Sequence, residues 1–81
     1  MIKINDILKS KKFSANHRLY LIAGLKIPFF ICFSIEKQSE LCGISERTVH
    51  RIKEDFLYYK IIKKVDIKTF VFDFERLKIL L

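Results

Sequence analysis

The chain has two glycines, one proline, two cysteines and no tryptophan in 81 residues. Two isolated glycines cannot build a Gly-rich phosphate loop. Cys32 and Cys42 are too few for the disulfide framework of a small secreted domain, so a reducing cytoplasm is expected. Long apolar runs are also missing. The most apolar stretch, Leu25 to Phe33, is far short of the ~20 residues of a spanning helix and contains Lys26 and Pro28, which excludes a membrane reading. The opening Met1-Ile2-Lys3-Ile4-Asn5-Asp6 lacks the charged-then-apolar order of a signal peptide, so none is expected. What is plentiful is apolar: 51% of residues are hydrophobic and 14% aromatic, which excludes a disordered tail. The length excludes a multi-domain enzyme and predicts one core, near the lower size limit for folding without staples.

Acid is scarce as well, with 9 Asp+Glu against 16 Lys+Arg and a net charge of +7. The excess is uneven: residues 1–33 carry +5, residues 34–59 carry −1 and residues 60–81 carry +3. Long-range attraction to a polyanion would therefore come from the flanks, although ordinary solubilising surface has the same composition.

Hydrophobic spacing and caps give the elements. Ile4, Ile7 and Leu8 predict a short helix or basic arm over residues 1–13. Ser14 is a candidate N-cap for a helix whose core face is expected to hold Leu19, Ile22, Ala23 and Leu25, and Pro28 ends it. Phe29 to Phe33 is aromatic and β-branched, so a short strand or extended crossover is expected. Ser34 caps a second helix that stops at Gly43, a residue able to take the left-handed conformation. Ser45 caps a third, with Glu46 well placed against its dipole. Its 100° spacing puts Val49, Ile52, Phe56 and Tyr59 on an inner face and Arg47, His50, Arg51, Glu54 and Tyr58 outside. Two short helices joined at a glycine, the second apolar inside and basic outside, form a helix-turn-helix.

The run Ser39-Glu40-Leu41-Cys42-Gly43-Ile44-Ser45-Glu46-Arg47-Thr48-Val49-His50-Arg51 resembles the helix-turn-helix signature of bacterial and phage DNA-binding proteins. A small residue, Ser39, stands four before the turn glycine. Ile44, Val49 and Ile52 occupy the apolar positions after it. Gln38 and Cys42 depart from the pattern, which favours larger apolar residues there. Beyond the motif, Ile61-Ile62-Lys63-Lys64-Val65 and Phe70-Val71-Phe72-Asp73-Phe74, joined by Asp66-Ile67-Lys68-Thr69, resemble the hairpin of winged helix domains. The resemblance implies a mainly α fold with a small β-hairpin: a winged helix-turn-helix, three-helix core plus wing, over residues 14–74. Residues 75–81 are left as an apolar tail or short helix.

Such a fold would place its last core helix in the major groove, where side chains near the N-terminal end read base edges. Here those are Ser45, Arg47, Thr48, His50 and Arg51, with Arg47 and Arg51 suited to bidentate guanine contacts worth ~1–3 kcal/mol of discrimination each. Lys63, Lys64 and Lys68 on the wing would hold phosphates, or equally protect a strand edge from aggregation. Glu54 is expected to pair with Arg51 or His50 one turn back. The implied function is sequence-specific binding of double-stranded DNA by a small repressor-like regulator of phage or mobile-element type, acting by occupancy. The rival is a winged-helix protein-interaction module in a replication or host-inhibiting assembly, kept open by the near-neutral centre.

Other chemistry is not expected. The spacings among Cys32, Cys42, His17 and His50 match no zinc arrangement, and Cys42 reads as a core cysteine. Neither a cofactor nor a small-molecule substrate is called for, and His17 near Asp6 or Glu40 makes no catalytic constellation. Most aromatics have core spacing, including Phe70, Phe72 and Phe74 along one strand face, with Tyr20 and Tyr58 the candidates for exposure. Asp73 can cap a last helix whose Phe74, Leu77 and Leu81 share a face. A homodimer on that face, matching a palindromic site, competes with simple closure of the monomer core.

Overall fold

A computed structural model describes residues 2–81. Five helices and one antiparallel hairpin follow in the order α1 (Ile4–Lys9), α2 (Ala15–Lys26), α3 (Ile35–Cys42), α4 (Glu46–Tyr58), β1 (Ile62–Lys64), β2 (Phe70–Phe72) and α5 (Phe74–Leu80). The fold is mainly helical with a small two-stranded sheet. Its radius of gyration, 11.7 Å, is that of one domain of this length, about 12 Å.

Side-chain caps set most of the starts. The Oγ of Ser14, Ser34 and Ser45 each accepts the N–H three residues on, from His17, Lys37 and Thr48, and Asp73 Oδ1 accepts that of Arg76. Each bond satisfies one of the orphan donors of a first turn. Gly43 closes α3 in the left-handed conformation, at φ 66°. Its N–H and that of Ile44 both reach Ser39 O, while the Ser39 hydroxyl donates to Ile44 O. Ser39 thus fastens both sides of the turn that sets α4 against α3. Lys60 takes the same role after α4 at φ 64°, with Ile61 N–H donating to Phe56 O, and turns the chain into the hairpin.

The hairpin pairs Ile62 with Phe72, Lys63 with Val71 and Lys64 with Phe70. Phe70 and Phe72 face the core. Phe74 leaves the strand and opens α5, stacking on Phe72 at 5.3 Å. Gly24 of α2 admits the Phe72 ring, which a β-carbon there would overlap.

The core comes from every element: Ile7, Tyr20, Leu21, Phe30, Val49, Ile52, Phe56, Ile61, Ile62 and Leu77 are at most 1% exposed, Cys42 of α3 is buried with them, and Phe70 and Phe72 of β2 pack against them partly buried. Several expectations change here. On α2 the buried pair is Tyr20 and Leu21, while Leu19 is 40% exposed. From Leu19 to Leu25 that helix is apolar on every side, so periodicity cannot choose its inner face. Of the two candidates for exposure, Tyr20 is fully buried and Tyr58 is 81% exposed. Tyr59, expected inside, caps the end of α4 half in solvent, edge-on to Phe13. The Phe74–Leu77–Leu81 face, for which a homodimer competed with closure of the monomer core, packs on the chain's own core with Leu77 wholly buried.

The segment expected to be a strand or crossover is instead a single 3-10 turn, Phe30–Cys32, entered through Phe29 at φ 61°. The reason is Gln38. This fully buried side chain donates through Nε2 to the carbonyls of Phe30 (3.1 Å), Ile31 (3.3 Å) and Phe33 (3.0 Å), and its Oε1 accepts from the Tyr20 hydroxyl at 2.6 Å. Successive carbonyls of a strand point to opposite sides, so Phe30 and Ile31 could not both face one amide from extended chain.

Candidate nucleic-acid interface

α4 is buried on one side and open on the other. Val49, Ile52 and Phe56 are 0% exposed, while Arg47, His50, Arg51, Glu54 and Tyr58 all lie in solvent. At about 100° per residue these five form one stripe. Ser45 and Thr48 stand at its N-terminal edge with their hydroxyls 2.8 Å apart; the Ser45 oxygen also caps the helix, so its acceptor is already engaged. The structure therefore brings Arg47, Thr48, His50 and Arg51 to one end of one helix. Glu54 does not pair with Arg51 or His50. Among the described residues the ion pairs are His17–Asp55, Lys37–Glu40 and Lys63–Asp73.

The hairpin lysines divide. Lys63 Nζ lies 2.7 Å from Asp73 Oδ2, so it serves the joint between β1 and α5. The bond from Lys63, with the Arg76 N–H next in weight, holds the Asp73 carboxyl below its ordinary range. Lys64 and Lys68 are exposed and form no ion pair among the described residues. On the buried side of the hairpin, Lys53 of α4 places its ammonium 4.3 Å over the Phe70 ring, where burial lowers its proton affinity.

A polar bridge that sequence reading missed ties α2 to α4. His17 Nε2 lies 2.8 Å from Asp55 Oδ2, and His17 Nδ1 lies 2.6 Å from Ser14 Oγ. Its members are 38 residues apart, and only the Ser14 cap gave a local signal. The Ser14 oxygen also accepts the His17 N–H at 3.3 Å, so the bridge secures the first turn of α2. Beside it runs a cleft of about 310 Å³ lined by Asn16, Thr48 and Arg51. Of the two free cysteines, Cys32 is exposed, with Sγ 3.9 Å from Phe70 O. Cys42 is buried, which pushes its thiol pKa up. Among the described residues no three of His, Cys, Asp and Glu converge as metal ligands, and no helix is long and apolar enough to cross a membrane.

No family model, no curated protein and no solved structure matches this chain.

Proposed function

We propose that the chain is a winged helix-turn-helix protein that binds duplex DNA, reads sequence with α4 and acts in the cytoplasm as a small repressor-like regulator. In this reading α3, the Gly43 turn and α4 are the helix-turn-helix and the β-hairpin is the wing. The observation that carries it is the two-sidedness of α4: three wholly buried apolar residues inside, and Arg47, His50 and Arg51 outside with no acid engaged. Arg47 and Arg51 take guanine edges, Thr48 a thymine methyl or a phosphate, and His50 either donates or accepts. Ser45 presents the helix through its cap. Lys64 and Lys68 hold phosphates, which adds affinity without sequence preference.

Selection of bound duplexes from a random pool, at about 150 mM salt where weak phosphate attraction is screened, tests the reading. A motif is expected to enrich and to be lost with Arg47→Ala, and two-fold symmetry in it would indicate a homodimer. If the wild-type chain enriches nothing, the DNA reading fails, and the fold is then a protein-interaction module.

A further inference from the structure

Arg51 has an acid one turn further along its own helix, and the two are not paired. Asp55 follows it by four residues, about 40° round α4, the spacing at which an arginine and a carboxylate meet. Both border the cleft of about 310 Å³ beside α2. Yet among the described residues Arg51 forms no ion pair. The Asp55 carboxylate is turned to α2 instead, with Oδ2 2.8 Å from His17 Nε2. Glu54, three residues after Arg51, does not border that cleft. Lys12 stands on the other side of the bridge, with Phe13 and Tyr59.

The imidazole is fixed so as to hold that carboxylate. Its ring stands edge-on to the wholly buried Phe56, with 5.4 Å between centroids. Ser14 Oγ accepts the His17 N–H and lies 2.6 Å from Nδ1, so the hydroxyl proton is left for Nδ1. A neutral imidazole that accepts at Nδ1 carries its own proton on Nε2, facing Asp55. The ring therefore donates to the carboxylate without needing a charge. The His17 side chain is 18% exposed and that of Asp55 44%, so the bond is partly sheltered on the flank of α4 that carries Arg51.

We infer, on the basis of the DNA reading above, that His17 is a positioning residue for base recognition: by binding Asp55 it keeps that carboxylate off Arg51, whose guanidinium stays free for a guanine edge. Without the imidazole, Asp55 has Arg51 at pairing distance along the helix. Arg51 must then leave the carboxylate to read guanine, but need not leave it when another base is present. The penalty falls on the preference for guanine and not on affinity for every sequence. On an open helix face such a pair shifts an equilibrium only about twofold. Against DNA, with water displaced, the charges are less screened and the effect is larger.

The test uses the full chain and the enriched duplex, with G·C or A·T at the position whose preference Arg51→Ala abolishes. The ratio of the two Kd values is read for each variant. His17→Phe keeps an aromatic ring against Phe56 and removes the donor; its melting temperature is checked first, and His17→Ala replaces it should it not fold. The guanine preference is expected to fall about fivefold in this variant, while the preference abolished by Arg47→Ala stays that of the wild type. Asp55→Asn alone should keep the wild-type ratio. Combined with His17→Phe it should restore that ratio, because a neutral amide holds a guanidinium far more weakly. A histidine that only braced α2 against α4 would weaken all duplexes alike and gain nothing from Asp55→Asn. That result overturns the inference and leaves α4 reading in place, as does an unchanged preference in His17→Phe, which capture of Asp55 by Lys12 would give. An enriched motif in which Arg51→Ala costs no preference overturns it too, with DNA binding intact. If the wild type enriches no duplex, the DNA reading fails and takes this role of His17 with it.

Discussion

Gln38 shows what one residue can decide. Its amide sits in a wholly buried position, its two N–H donors shared among three carbonyls and its Oε1 accepting from a hydroxyl. Burial pushes the Tyr20 hydroxyl well above the ordinary tyrosine range, so it stays a neutral donor. Gln38→Leu conserves bulk and leaves the carbonyls of Ile31 and Phe33 and the Tyr20 hydroxyl without this partner, while Phe30 O keeps the Phe33 N–H. Buried polar groups left unpaired cost about 1–3 kcal/mol each, and relaxation recovers part of the total, so a loss of about 3 kcal/mol is expected in urea unfolding. Tyr20→Phe should cost about 1 kcal/mol, and the pair should be non-additive in a double-mutant cycle. Additive losses would mean that the two side chains do not act as one network. In the sequence Gln38 is visible only as a departure from an apolar position. What it binds is spread over the 3-10 turn and α2, and no local pattern encodes that. Tyr20 fails to stand out for a related reason, since Leu19 to Ala23 offers an apolar residue in every direction.

At the scale of elements, the legible parts are those fixed by a few neighbouring residues. Ser14, Ser34, Ser45 and Asp73 cap helices as their spacing implies, and Gly43 turns the chain because the left-handed region suits it. The inner triad of α4 follows from periodicity, since polar residues separate its apolar ones. Joints between elements were not legible, because they link distant residues: His17 with Asp55, and Lys63 with Asp73. The second joint has an acid-range signature. Asp73 is held below its unfolded value of 3.8, first by the Lys63 ammonium and then by the Arg76 N–H. The unfolded chain therefore takes up the proton first. The contribution of Asp73 is complete above the unfolded value and disappears as pH falls through the lower folded one. Asp73→Asn keeps an oxygen for the cap and removes the charge. Between about pH 5 and pH 2 the urea midpoint of the wild type should fall more steeply than that of the variant. Parallel curves would show that Lys63 does not hold the carboxylate in solution and is free to meet a phosphate.

For the molecule as a whole, the question is whether the surface formed by α4 and the hairpin depends on the terminal helices. α1 gives Ile7 and α5 gives Leu77 to the core, and both are 0% exposed although each helix is only one to two turns long. So short a helix is not stable alone and draws its stability from packing. A chain of 81 residues holds about 4–12 kcal/mol in total, with a charge of +7 that repels itself in the compact state. Truncating either residue removes about 2–4 kcal/mol of burial and cavity energy, a large fraction of that total. Ile7→Ala and Leu77→Ala should therefore lower the midpoint of one shared transition, seen alike by far-UV circular dichroism and tyrosine fluorescence. On the proposed DNA reading, affinity per folded molecule should remain that of the wild type, because neither residue belongs to α4's outer stripe. If α1 or α5 instead melts in a separate step while α4 and the hairpin keep their signal, the terminal helices are attachments to a self-sufficient middle. The coincidence or separation of the two optical transitions decides between these, since a single core transmits the loss of one leucine to every element that packs on it.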